Sequence, residues 1–207
     1  NKMANNFLNK MVRNGSADET APALVYKPGT GVKTIVIELD VANRSSSSQT
    51  ISVLIEDFSE KGPNKASTAG AISSNTITAT AHGFSTGDRI RLTNAGNSTI
   101  TYNSAALSET AVWYVIVASP NSFQLALSHA NATAGTAVTL AGNAATADIW
   151  NSLAYTYVVR DAPIPIGGAL KVIAGQKLVL EGDDSLFITA SSASSVDTIA
   201  SILQAVS

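Results

Sequence analysis

Thr34-Ile35-Val36-Ile37-Glu38-Leu39-Asp40-Val41 is the stretch that decides the fold class of this 207-residue chain. Alternation along it sets Ile35, Ile37, Leu39 and Val41 on one face, and β-branched residues at this period predict a half-buried strand. Pro28-Gly29-Thr30-Gly31 supplies a turn before it, and Asn43 to Gln49, with four consecutive serines, a turn after it. Ile51, Val53 and Ile55 then alternate with Ser52, Leu54 and Glu56, which predicts a second strand paired with the first as a hairpin. The hydrophobic period is two rather than 3.6, so the chain is expected to be all-β.

The same character returns at the other end of the chain. Ala154 to Val159 reads as a strand, and Pro163-Ile164-Pro165-Ile166-Gly167-Gly168 as a rigid turn or edge segment. Leu170 to Ile173, Lys177 to Leu180, Ser185 to Thr189 and Ser195 to Val206 follow as four further strands, with Gly175-Gln176 and Gly182-Asp183-Asp184 between them. Residues 62–149 differ: Ala, Ser, Thr, Gly and Asn dominate and charges are sparse. Short strand signals recur there at Thr76–Thr80, Asp88–Thr93, Val112–Val117, Phe123–Ala126 and Ala137–Leu140, each bounded by turn formers, as in a small compact β-module. The expected organisation is a β-sandwich, jelly-roll or immunoglobulin-like, made by both chain ends (17–61 and 150–207). A second small β-domain (62–149) is inserted in one of its loops, where Lys61-Gly62-Pro63-Asn64-Lys65 has the character of an exposed loop tip. Residues 1–16 form an N-terminal arm, in which Phe7, Leu8, Met11 and Val12 pair at i, i+4. That spacing suits a short amphipathic helical turn, and its apolar tip reads either as an assembly arm docking on a partner subunit or as a frayed or locally packed arm.

Composition excludes several function classes. Cysteine is absent, which removes disulfide frameworks, thiolate catalysis and cysteine zinc sites. Charged residues make up 14% of the chain and the net charge is −2, so no basic surface for nucleic acid is expected. Lys61, Lys65, Arg89 and Arg91 form no dense stripe. No apolar run approaches the ~20 residues of a membrane helix, and no signal-peptide pattern opens the sequence, so a soluble chain without a membrane partner is expected.

The candidate chemical motifs each have a simpler structural explanation. Gly83-Phe84-Ser85-Thr86-Gly87 matches the G-x-S-x-G elbow of serine hydrolases, but a strand pattern follows it where the elbow requires a helix. A tight turn using two glycines accounts for it. Gly182-Asp183-Asp184 reads as a hairpin turn. Glu181, Asp183, Asp184 and Asp197 are close enough in sequence to suggest weak calcium binding, without the spacing of a calcium loop. His82 and His129 are the only histidines, too few for a histidine metal site. No catalytic residue, metal or cofactor is assigned. Tyr102, Trp113, Tyr114 and Phe123 offer ring faces; Tyr102, Trp113 and Tyr114 are the candidate glycan or partner contacts of the inserted domain, with filling of its core as the other use of these rings.

Ala81-His82-Gly83-Phe84-Ser85-Thr86-Gly87-Asp88-Arg89-Ile90-Arg91-Leu92, then Trp113-Tyr114-Val115-Ile116-Val117, then Asn121-Ser122-Phe123-Gln124-Leu125-Ala126 resemble a small β-module recurrent in structural proteins of tailed bacteriophages. The likeness covers about a third of the chain, with three motifs in the same order. Thr34-Ile35-Val36-Ile37, Ala162-Pro163-Ile164-Pro165 and Lys177 to Leu186 are more loosely similar to short virion proteins of marine and cyanobacterial phages, in which the two halves run together without an insert. The resemblance implies a virion location and a structural role without catalytic residues. It implies a homo-oligomer, a trimer or other symmetric ring, in contact with other virion proteins of the capsid, neck or tail. A capsid decoration or cement protein is the first expectation, a neck, collar, tail-associated or fibre-base protein the second, and a carbohydrate-binding adhesin acting through the insert the third.

Overall fold

A computed structural model describes residues 6–57, 62–94 and 99–205. The chain passes first through β1 (Asn6–Val12), β2 (Ala23–Tyr26), β3 (Lys33–Asn43) and β4 (Gln49–Asp57). Shorter pieces follow: β5 (Asn64–Ala66), β6 (Gly70–Ala71), β7 (Ile77–Thr78), β8 (Arg89–Asn94), β9 (Thr101–Tyr102), β10 (Ala105–Ala106), β11 (Trp113–Ser119) and β12 (Ser122–Ala126). The helix α1 (His129–Thr133) precedes β13 (Leu140–Ala141), β14 (Asn143–Ala144) and β15 (Asp148–Ser152). Four long strands close the chain: β16 (Ala154–Ile164), β17 (Ala169–Leu180), β18 (Ser185–Ala190) and β19 (Val196–Ala205). The described chain is therefore almost entirely β, and every strand pairing with a defined register is antiparallel.

Two compact units divide these elements. One comprises 6–18, 22–57 and 155–205, and the other 19–21, 62–94 and 99–154. The sequence boundary at 149/150 thus falls five residues early, because β15, carrying Trp150, pairs with β8 and β5 of the middle unit. Residues 19–21 also belong there: the Val112 N–H donates to the Thr20 carbonyl at 2.9 Å, and the His129 N–H to Glu19 Oε2 at 3.2 Å.

The unit built from both ends has two four-stranded sheets, ordered β1-β19-β3-β17 and β16-β4-β18-β2. Their buried side chains form one cluster, with Val36, Leu39, Val41, Ala200 and Ile202 from the first sheet and Ile51, Val53, Ile164, Leu186 and Ile188 from the second. Successive strands of this unit lie in opposite sheets except at one point: β4 and β16 are neighbours in the same sheet, and the middle unit occupies the chain between them.

That order corrects two expected hairpins. β3 and β4 do not pair; the serine turn carries the chain from one sheet to the other, and so does the Gly182-Asp183-Asp184 turn between β17 and β18. Asn43 shows why the first crossing holds its shape. Its side-chain amide donates to the carbonyls of Ser47 (2.8 Å), Ile164 (3.1 Å) and Pro165 (3.1 Å), and its Oδ1 accepts from the Ser45 N–H and hydroxyl. One buried side chain therefore satisfies backbone groups of two crossings, β3–β4 and β16–β17.

The alternation in β3 also holds over only part of its length. Val36, Leu39 and Val41 are fully buried, whereas Ile35 and Ile37 are half-buried. The register with β19 jumps from Ser201↔Glu38 to Ile202↔Val36, so one extra residue of β3 reverses the facing of everything before it. Similarly, the two strands expected over 170–180 are one strand, β17, whose pairing with β3 shifts at Lys171/Ile173 and again at Ala174/Leu178, next to Gly175 at φ 75°.

In the middle unit a six-stranded sheet runs β5-β15-β8-β11-β12-β7. One face buries Ile90, Leu92, Trp113, Val115, Phe123, Leu125 and Trp150, with rings meeting edge-on at Phe123–Trp150 and Phe84–Phe123. The opposite face of β11 packs Tyr114 and Ile116 with Ala126 and with Ala132 of α1.

Candidate interaction surface

The arm residues are placed by β1. Asn6–Val12 pairs in unbroken antiparallel register with β19, from Asn6↔Gln204 to Val12↔Thr198, which corrects the expected helical turn. A spacing of four residues is even, so it suits a strand face as well as a helix face; here the edge of β19 offers backbone partners and the strand prevails. Leu8 and Val12 turn inward onto the core of their unit, while Phe7 and Met11 face outward and are each 71% exposed.

Registers across the sheet extend that outward face. Phe7 stands opposite Leu203, Leu203 opposite Ile35, and Ile35 opposite Val179, so one apolar row crosses all four strands. Val179 is 55% exposed, and Leu203 and Ile35 are half-buried. Ile37, displaced by the bulge, joins Phe7, Leu8, Asn9, Ser201 and Ile202 around a groove of about 230 Å³. The next row is Asn9, Ser201, Glu38 and Ala174, and the third is Met11, Ile199, Asp40 and Lys171. In the polar corner Lys171 Nζ bonds Glu38 and lies 3.5 Å from Asp40. The hydrogen bond from Lys171, then its positive charge, holds the Glu38 carboxyl below its ordinary value. Glu38 in turn raises the Lys171 ammonium above its own. Sequence reading found Phe7 and Met11 but missed Ile35, Ile37 and Val179 on this face, because a bulge leaves no mark on a hydrophobicity pattern.

The candidate aromatic, serine and histidine residues belong to the middle unit. Trp113 is 4% and Tyr114 1% exposed, and as neighbours on β11 they occupy opposite faces of its sheet, so neither ring is available to stack on a sugar. Tyr102 is half-buried and packs edge-on against Trp113 at 5.6 Å, and Phe123 is fully buried. Ser85 sits on an exposed turn closed by its own N–H to Asp88 Oδ2 (2.7 Å), between glycines at φ 71° and 94°. The strands flanking that turn, β7 and β8, are not neighbours, so it spans the sheet rather than closing a hairpin. His82 is buried against Phe84 and Phe123; its Nε2 donates to the Ser119 carbonyl (2.9 Å) and its Nδ1 accepts from the Phe84 N–H (3.0 Å). Both ring nitrogens are used structurally. His129 meets the Tyr114 ring edge-on, and Arg89 stands opposite Tyr114 in the register, so Arg89 belongs to the interior. Lys61 lies outside the described residues.

The acidic residues do not converge on a calcium site. Leu180, before Glu181, stands opposite Thr34, whereas Asp197 stands opposite Ala42 and near Arg44, so they lie about 25 Å apart at opposite ends of β3. Among the described residues no three His, Cys, Asp or Glu side chains are grouped to hold a metal ion. Nor, among them, is any helix long and apolar enough to cross a membrane. Comparison with protein-family models, with curated proteins and with solved structures finds no match to this chain.

Proposed function

We propose that this chain is a structural subunit of a tailed-bacteriophage virion: a β-sandwich made by both chain ends, with a small β-domain inserted between β4 and β16. It assembles as a symmetric homo-oligomer and serves as a decoration or cement protein on the capsid. The observation that carries this reading is the outward apolar row Phe7, Leu203, Ile35 and Val179. A row of this kind across a whole sheet is characteristic of a surface that other subunits cover. Low net charge and the likeness of residues 81–126 to the phage module support the virion assignment. The two sheets sharing one core support the sandwich, and the adjacency of β4 and β16 supports the insertion, since a domain enters a loop most easily where the chain leaves and returns side by side.

A neck or tail position would use the same surface, and stoichiometry separates the two. Quantified on purified particles, hundreds of copies mean capsid decoration, and six or twelve mean a ring at the neck or tail. Absence from the particle overturns the virion reading altogether.

A further inference from the structure

Among the described residues the first unit has four sheet edges, and three carry features that discourage pairing. β17 has two register shifts and the positive-φ Gly175; β16 carries Pro163 and Asp161 at φ 49°; β2 is four residues long and shifts register against β18. β1 has none of these. It is seven residues in unbroken register, without proline, glycine or positive φ, and among the described residues no strand pairs with its outward side. Its single charged side chain, Lys10, reaches back to its own unit, with Nζ 6.0 Å from the centre of the Tyr26 ring.

The strand is also complementary to itself. Paired antiparallel with an identical strand about Asn9, it sets Phe7 opposite Met11 of the second copy and Lys10 opposite Leu8. A centre at Lys10 would oppose two ammonium groups, and a centre at Leu8 would oppose Phe7 to the polar Asn9. The Asn9 register also joins the rows of the two sheets. Val179, Ile35, Leu203 and Phe7 of one copy run on into Met11 and Ile199 of the other, and the symmetric row does the same.

We infer that β1 docks on β1 of a second copy, antiparallel about a two-fold axis at Asn9, turning two four-stranded sheets into one of eight strands. The inference rests on the chain being a self-assembling structural subunit, and it names the contact and its symmetry. Because the chain has no cysteine, one substitution introduces a unique thiol. Under mild oxidation of the full-length protein, Asn9→Cys is expected to give a disulfide-linked dimer. Met11→Cys, also exposed but offset from its symmetry mate by four residues, is expected to remain uncrosslinked. Equal crosslinking of both, or none with Asn9→Cys, overturns the inference. A second arm needs no oxidation. Phe7→Glu and Met11→Lys are each expected to weaken dimer association roughly tenfold in sedimentation experiments, and the two in one chain to restore it, because each new carboxylate then faces a new ammonium. Failure of the double variant to recover overturns the register. Failure of both arms in a protein present in many copies on particles removes this contact and leaves the virion reading standing.

Discussion

Phe7 of the first strand stands directly opposite Leu203 of the last, on the solvent-facing side of a four-stranded sheet. On the same side Leu203 faces Ile35 and Ile35 faces Val179, so the residues that look most like core in the sequence partly line an outer surface.

The bulge in β3 sets an expectation opposite to simple alternation. Val36→Ser, at a fully buried position, is expected to destabilise by roughly 2–4 kcal/mol, whereas Ile35→Ser costs less than about 1 kcal/mol. Chemical denaturation of both variants checks this; equal costs would place both side chains in the core.

Phe7→Ser is expected to leave the unfolding free energy within about 0.5 kcal/mol, because the ring is mostly in water before assembly. Calorimetry of the unassembled protein, paired with sedimentation, separates the two effects. Lost stability without lost assembly would make Phe7 a packing residue.

Asn43→Ala removes an amide whose two N–H groups are shared among three carbonyls, and two accepted hydrogen bonds, at a buried junction, with an expected cost of about 2–4 kcal/mol. Hydrogen exchange is expected to accelerate first at 44–48 and 164–168, the two crossings this side chain ties.

Gly142, at φ 92°, has no room for a side chain: a Cβ there would lie 2.0 Å from the Thr99 carbonyl oxygen. Gly142→Ala is expected to destabilise the middle unit by more than about 2 kcal/mol, through strain and displaced backbone together. A melting temperature equal to that of the unsubstituted protein would contradict this placement.

Two carboxyl groups titrate in opposite senses. Glu38 is lowered from 4.5 by the Lys171 hydrogen bond and charge, so its contribution is present above the ordinary value and fades as pH falls through the folded one. Asp184 is raised from 3.8 by burial, reinforced by Asp57, Glu181 and Asp183, so its ionisation opposes folding and that penalty disappears on acidification. Carboxyl-resolved NMR titration is expected to find Glu38 below and Asp184 above their ordinary midpoints, with Lys171→Met returning Glu38 upward and leaving Asp184 unmoved.

Much of this fold is legible in the sequence because burial and period two coincide in it. The strands around Val41, Val53, Val115, Leu125 and Ile188 follow from alternating or continuous runs of β-formers bounded by turn residues. The pairing of those strands does not. A turn of small polar residues looks alike whether it closes a hairpin or crosses between sheets, and only the strand order of the two sheets distinguishes them. The outer row was hidden for a related reason. One extra residue near Ile37 reverses facing without changing composition, and the i, i+4 apolar pairs of β1 satisfy helix and strand alike. Trp113 and Tyr114 show the converse: aromatic residues in a low-charge module look available for binding until both faces of their sheet are seen to be covered.

Quantitative mass spectrometry of purified particles tests the structural-subunit reading most directly. A capsid decoration protein is expected at hundreds of copies per particle, in fixed proportion to the shell protein. A chain expressed in infected cells yet absent from the finished particle would contradict it.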